Sequence, residues 1–142
     1  MKRRVVELSV LIALVLSLDP GSLRAQEAST KPAQSAVETW LALVDNQSYA
    51  ASWDTAASLF KAAVTQEKWQ AAAQTARTPL GPMKWRTLKS AMSTKTLPGA
   101  PDGEYVVFQF NASFEHKAAA VETVTAMKEK DSTWHVGGYF IK

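Results

Sequence analysis

Between Tyr105 and Phe114 the chain alternates with a period of two. Val106, Phe108, Phe110, Ala112 and Phe114 point one way, and Tyr105, Val107, Gln109, Asn111 and Ser113 point the other. Alternation of this kind is the signature of a strand with one face buried. A strand with three phenylalanines on that face needs other elements to cover it, and this requirement organises the chain.

Two more strand-like segments follow, residues 118–128 and 133–141, joined by a short turn at Lys130-Asp131-Ser132. Strands linked by tight turns pair antiparallel. Gly137-Gly138 inside the last segment predicts a bulge or bend. Upstream, residues 83–96 also carry period-two patterning and frequent threonine, so they read as a first strand. Leu97-Pro-Gly-Ala-Pro-Asp-Gly103 is the turn segment between the first and second strands.

Before Met83 the period is 3.6. Val37, Trp40, Leu41 and Val44 recur at i, i+3, i+4 and i+7, an apolar helical stripe. Ser35 and Glu38 have capping-box spacing, which predicts a first helix over residues 33–45. Tyr49, Trp53, Ala56, Ala57 and Phe60 predict a second over 49–63, kinked near Asp54-Thr55. Thr65 and Glu67 suit the start of a third, which carries Trp69, Ala72, Ala73 and Ala76 and ends before Pro79-Leu-Gly-Pro82. Helices segregated from strands define an α+β domain: three N-terminal helices packed on a bent four-stranded antiparallel sheet, a cone-shaped roll. A cone of this kind often leaves a pocket at its mouth.

The first 25 residues have the form of a secretory signal. Lys2, Arg3 and Arg4 form a basic start, residues 9–18 an apolar run, Pro20-Gly21 a break, and Ala25 a small residue for cleavage. The apolar run is too short for a membrane span, which takes about 20 residues. Residues 26–32 are polar and read as a flexible lead-in, and 33–142 as the single domain. Removing residues 1–25 takes four of the 16 basic residues and two of the 13 acidic ones, leaving 12 against 11 and a formal charge of +1. Without a Lys/Arg cluster, nucleic-acid binding is not expected. The sequence has no cysteine, so neither disulfides nor a lipid-modified N-terminal cysteine is available, and the domain must hold itself by its core. The expected location is the periplasm or the cell exterior, with no stable membrane insertion once the signal is cleaved.

Several short motifs occur in series: Trp40-Leu-Ala-Leu-Val-Asp45, Tyr49-Ala-Ala-Ser-Trp53, Ala56-Ala57 with Phe60-Lys61, Trp69, Pro79-Leu-Gly81 with Arg86, residues 97–103 with Tyr105, and Trp134 with Val136, Gly138, Tyr139 and Ile141. This series resembles the small secreted bacterial proteins grouped as "domain of unknown function four-zero-one-nine", across residues 33–141. The element order is similar to the cystatin-like and nuclear-transport-factor-two-like cones. The resemblance implies a fold and no activity, so no catalytic residue follows from it.

The chemistry-bearing residues are sparse. His116 and His135 lie in no HxH or HxxxH spacing, so neither a metal nor a cofactor is expected. His116 beside Glu115 reads as a solvated strand end. Ser52, Ser58 and Ser90 lie in no nucleophile elbow. Asp45 or Asp54, with Tyr49 or Tyr105 as oxyanion donor, is the only acid–base set with an isomerase-like composition. The five tryptophans are the least common feature. Trp40, Trp53 and Trp69 lie on helical stripes, where core packing accounts for them. An indole at a pocket mouth would instead offer flat apolar area and one N–H donor.

The expected ligand-binding set is Trp40, Tyr49, Trp53, Arg86 and Tyr139, with Arg86 available to pair with a ligand carboxylate. The expected function is non-enzymatic binding of a small apolar ligand or a protein partner. The alternatives are an isomerase- or dehydratase-like enzyme using a pocket carboxylate and a tyrosine, and a homodimer through the sheet face carrying Tyr105, Val107 and Gln109.

Overall fold

The computed structural model describes residues 19–142, and most of the expected signal segment, residues 1–18, lies outside them. Four α-helices and a 3₁₀ turn precede four strands: α1 Pro20–Asp45, α2 Tyr49–Asp54, α3 Ser58–Ala63, α4 Gln66–Arg77, the turn Thr78–Leu80, β1 Met83–Thr94, β2 Tyr105–Phe114, β3 Lys117–Lys128 and β4 Trp134–Ile141. The strands form one antiparallel sheet in the order β1-β2-β3-β4. Among the described residues no helix is long and apolar enough to cross a membrane.

The sheet follows its pattern closely. Phe108, Phe110 and Phe114 are almost wholly buried, together with Val106, Ala112, Val124 and Ala126. Val37, Trp40, Leu41 and Val44 of α1 cover this face. In β4, Thr125 pairs with Gly138 and Ala126 with Val136, so Gly137 is the bulged residue. A Cβ on Gly137 would stand 3.3 Å from the Met127 sulfur. Two residues on the outer face of β2, Tyr105 and Ser113, depart from the alternation by being buried. Tyr105 is buried, because segment 97–103 folds back over it and its hydroxyl donates to the Pro101 carbonyl at 2.5 Å.

The helices differ from expectation in two places. α1 begins at Pro20, before the expected start at Ala33, and passes through Pro32. Asp19 is its N-cap, accepting from the Gly21 N–H at 3.1 Å, so Ser35 and Glu38 lie in mid-helix and make no capping box. Pro32 removes one intrahelical bond. Packing offsets that loss, because Thr30 and Ala33 on either side of it are buried.

The second difference is that the helix expected over 49–63, with a kink near Asp54-Thr55, is broken there into two helices. The Ala57 N–H donates to the Val136 carbonyl of β4 at 2.7 Å, and Ala57 is extended at φ −61°, ψ 153°. A backbone bond to the sheet therefore sets the break. The Glu129 carboxylate fixes it further, accepting from the Ser58 N–H at 2.7 Å and the Ser58 hydroxyl at 3.0 Å. His135 closes the same junction, with Nδ1 2.9 Å from the Thr55 carbonyl.

Phe108→Ala is expected to cost about 3–5 kcal/mol, the range for emptying a buried phenylalanine site, whereas Phe140→Ala on the open outer face should cost under about 1 kcal/mol. Urea denaturation of the two variants reads the difference. Equal losses would mean that the concave face is not the main core.

Candidate functional site

The charged residues closest to the core, with one tyrosine partner, come from five elements. Asp45 ends α1, Arg77 ends α4, Arg86 is on β1, Glu122 is on β3 and Tyr139 is on β4. Arg86 bridges both carboxylates. Its Nε donates to Glu122 Oε1 at 2.6 Å, and Nη1 and Nη2 donate to Asp45 Oδ2 and Oδ1 at 2.8 and 2.9 Å. Arg77 Nη2 donates to the same Asp45 Oδ1 at 2.7 Å, and the Tyr139 hydroxyl donates to Glu122 Oε2 at 2.5 Å. Glu122 is completely buried and Arg77 is 6% exposed. Two guanidiniums face two carboxylates, so the formal charge of the group is zero, which is the condition for holding such charges out of water.

The ionisation states follow from this geometry. Burial acts to raise the Asp45 pKa, but hydrogen bonds from Arg86 and Arg77 outweigh it and hold the carboxyl below its ordinary value. Burial works against the charge on Arg77 and Arg86, and their carboxylate partners more than restore it. Burial pushes the Tyr139 hydroxyl strongly up, and Glu122 pushes it further, so it stays a neutral donor. One gap remains. Arg77 Nε and Nη1 are buried without a hydrogen-bond partner. Nη1 stands 4.0 Å from Glu122 Oε2, too far for a hydrogen bond, while the guanidinium lies 4.8 Å over the Phe114 ring.

Beside this cluster the aromatic residues form a second unit. Trp40, Phe60, Trp69 and Tyr139 pack with ring centroids 5.0–6.4 Å apart. The two indole N–H groups converge on Ser52, which is fully buried. Trp40 Nε1 donates to the Ser52 carbonyl and Trp69 Nε1 to the Ser52 hydroxyl, both at 2.8 Å. The hydroxyl in turn donates to the Tyr49 carbonyl at 2.7 Å. Trp53 Nε1 donates to the Val64 carbonyl at 2.8 Å.

The fold thus places the five residues expected to bind a ligand as follows. Trp40, Arg86 and Tyr139 come together in the interior, and Trp53 lies at its edge. Arg86 is paired with carboxylates of its own chain. Tyr49 lines an open cleft of about 330 Å³ with Asp45, Gln47, Gln74, Arg77 and Thr78. Asp54 stands apart, accepting from Gln66 Nε2 at 3.0 Å.

A larger groove, of about 620 Å³, runs between α1 and β1. Leu23, Thr30, Gln34 and Glu38 lie on one side, and Leu88, Lys89 and Ala91 on the other. Leu23 and Leu88 are 46% and 44% exposed there.

Asp45, Arg77 and Glu122 were not singled out together by sequence reasoning, although a signal was present. Glu122 is in phase with Ala120, Val124 and Ala126 on the core face of β3. Arg77 continues the Trp69–Ala73 stripe of α4, and Asp45 continues the Val37–Leu41 stripe of α1. A charged residue in phase with a core stripe requires a buried partner: Arg77 supplies one to Asp45, and Arg86 and Tyr139 supply those of Glu122.

The fold and its site define a class: a small α+β domain whose helices cover one face of an antiparallel sheet and are locked to it by internal ion pairs. Residues 36–139 match the model of the family described as "Protein of unknown function (DUF4019)", and the chain belongs to that family. No curated protein matches the chain.

Arg86→Met leaves the buried Glu122 and the partly buried Asp45 short of a cation and is expected to cost about 3–5 kcal/mol in chemical denaturation. Asp45→Asn tests the same cluster through pH. The lowered pKa of Asp45 means its stabilisation is complete above the unfolded carboxyl value, about 3.9, and is lost as pH falls below it. The deficit of Asp45→Asn relative to the parent chain should therefore be full at pH 7 and shrink as pH is lowered from about 4 towards 2. A deficit that is constant with pH would show that the carboxylate charge is not what holds α1.

Proposed function

We propose that the chain is exported and that its domain binds, without catalysis, a small apolar or amphipathic ligand or a protein partner in the groove between α1 and β1. The observation that carries this reading is the half-exposed Leu88 on the β1 wall of that groove. A large aliphatic side chain left open beside a concavity supports a binding role. Export rests on the basic and apolar character of the leader. Cleavage after Ala25 would remove Leu23 from the α1 wall and leave Leu88 and Ala91 facing a wider opening.

In this reading Trp40, Trp53, Arg86 and Tyr139 act as the frame. Arg86 ties β1 to the end of α1 and so sets the spacing of the groove walls. Tyr49 belongs to the smaller cleft on the far side of Asp45 and is available to a second ligand group there.

The isomerase-like alternative has less support. Asp45 and Tyr49 do line one cleft, but a base must accept a proton near working pH. The Arg77 and Arg86 guanidiniums hold Asp45 ionised and make it a poor acceptor. The homodimer reading draws on the half-exposed Trp85, Met92 and Phe140.

The apolar fluorophore N-phenyl-1-naphthylamine provides the test. Its emission should rise on adding the protein, and Leu88→Glu should remove most of the rise while leaving the melting temperature within a few degrees. Emission that ignores Leu88→Glu would rule out the groove as the site.

A further inference from the structure

β1 differs from every other strand in its exposure. None of its twelve residues is buried, whereas seven of the ten in β2 are. It forms one edge of the sheet, and among the described residues no strand lies beyond it. Of the large apolar side chains left exposed among the described residues, three are on this strand: Trp85, Leu88 and Met92. Trp85 and Met92 are in phase with Ser113 and Val107 on the outer face, and Leu88 with Phe110 on the concave face. The inner face is covered at Arg86 and Ala91, but the strand is open on its outer face at Trp85 and Met92, on its inner face at Leu88, and along its edge backbone. A helix or a small ligand covers one face. Only another strand, hydrogen-bonded along the edge, brings neighbours to both faces at once.

The charges indicate which strand. β1 carries Lys84, Arg86 and Lys89 and no carboxylate, and Lys95 follows it. Asp45 and Glu122 neutralise Arg86, and no salt bridge engages Lys84 or Lys89 among the described residues. The β1–β2 register slips between Met83 and Trp85 and again between Leu88 and Ser90, so the residue skipped at each slip is a lysine. Lysines at irregularities guard an edge against copies of itself. In any antiparallel register a second β1 would bring only positive charge to positive charge. The same lysines attract a strand with carboxylates in their place.

We propose that the open edge of β1 docks an extended acidic segment of another protein, which adds to the sheet as a fifth strand. Its inward side chains lie against Leu88 and Ala91, and its outward ones beside Trp85 and Met92. Its carboxylates meet Lys84 and Lys89. This rests on the reading of the α1–β1 groove as a binding site and names the partner chemistry.

Three synthetic ten-residue peptides test the proposal. The first is Val- and Thr-rich with two glutamates spaced to meet Lys84 and Lys89. The second has lysines in place of those glutamates. The third is the glutamate peptide with two prolines at alternate positions. The glutamate peptide should bind and slow amide hydrogen exchange along β1. The lysine peptide should bind about tenfold more weakly, and the proline peptide should not bind, because it lacks ladder donors.

The double variant Lys84→Glu/Lys89→Glu should reverse the preference between the first two peptides, an outcome that general loss of stability cannot produce. Equal binding of the glutamate and lysine peptides would overturn the proposal, as would binding of the proline peptide or unchanged exchange in β1. So would a concentration-dependent dimer that protects β1 without peptide, which would make a second copy the occupant. Fluorophore binding that depends on Leu88, with no peptide bound, would sink strand addition alone and leave the groove reading standing.

Discussion

Glu122 is a carboxylate with no exposed surface, on the concave face of a sheet lined with phenylalanine and valine. Such a group is tolerated only with cationic and hydrogen-bonding partners around it. Arg86 and Tyr139 supply them directly, and Asp45 shares Arg86 and adds Arg77. The ends of α1 and α4 are thereby fixed against β1, β3 and β4. Dispersion and apolar burial would allow the helices to slide over the sheet at small cost, whereas bidentate pairing between Arg86 and Asp45 restricts the seating to one geometry. The apolar core supplies the driving force, and the ion cluster selects the arrangement.

The same economy governs the aromatic residues. Three of the indole N–H groups, those of Trp40, Trp53 and Trp69, are engaged inside the domain, two of them by Ser52. Polar groups used in this way stiffen the frame and are not offered to a ligand. What the molecule presents outward is the groove beside α1, the cleft by Tyr49 and the uncovered edge strand. In the recognition role we propose, these outward features do the binding, while the interior carboxylates are neutralised by internal cations.

Much of the fold was legible in the chain. The switch from a 3.6 to a 2 period at Met83, the alternation through Phe114 and the glycine pair at 137–138 foretold the layers, the sheet face and the bulge. The helix boundaries were less legible. Asp19 and Pro20 form a good start, but they fall in a segment whose composition reads as a leader, and Pro32 reads as a stop. The interruption after Asp54 was expected as a kink, but its extent to Ala57 was not, because a carbonyl of β4 sets it.

The site was legible only in fragments. Arg86 and Tyr139 were singled out, but as donors for a ligand, because their partners lie 36 and 17 residues away in the chain. Periodicity is a local property, so the sequence by itself determined which residues share a face: Phe108 with Phe110, Trp69 with Arg77, Glu122 with Val124. Which faces meet depends on how the chain closes in three dimensions. Only the tertiary structure decided that Asp45, Arg77, Arg86 and Glu122 neutralise one another, and only it put β1 at an edge of the sheet, with no further strand beside it among the described residues.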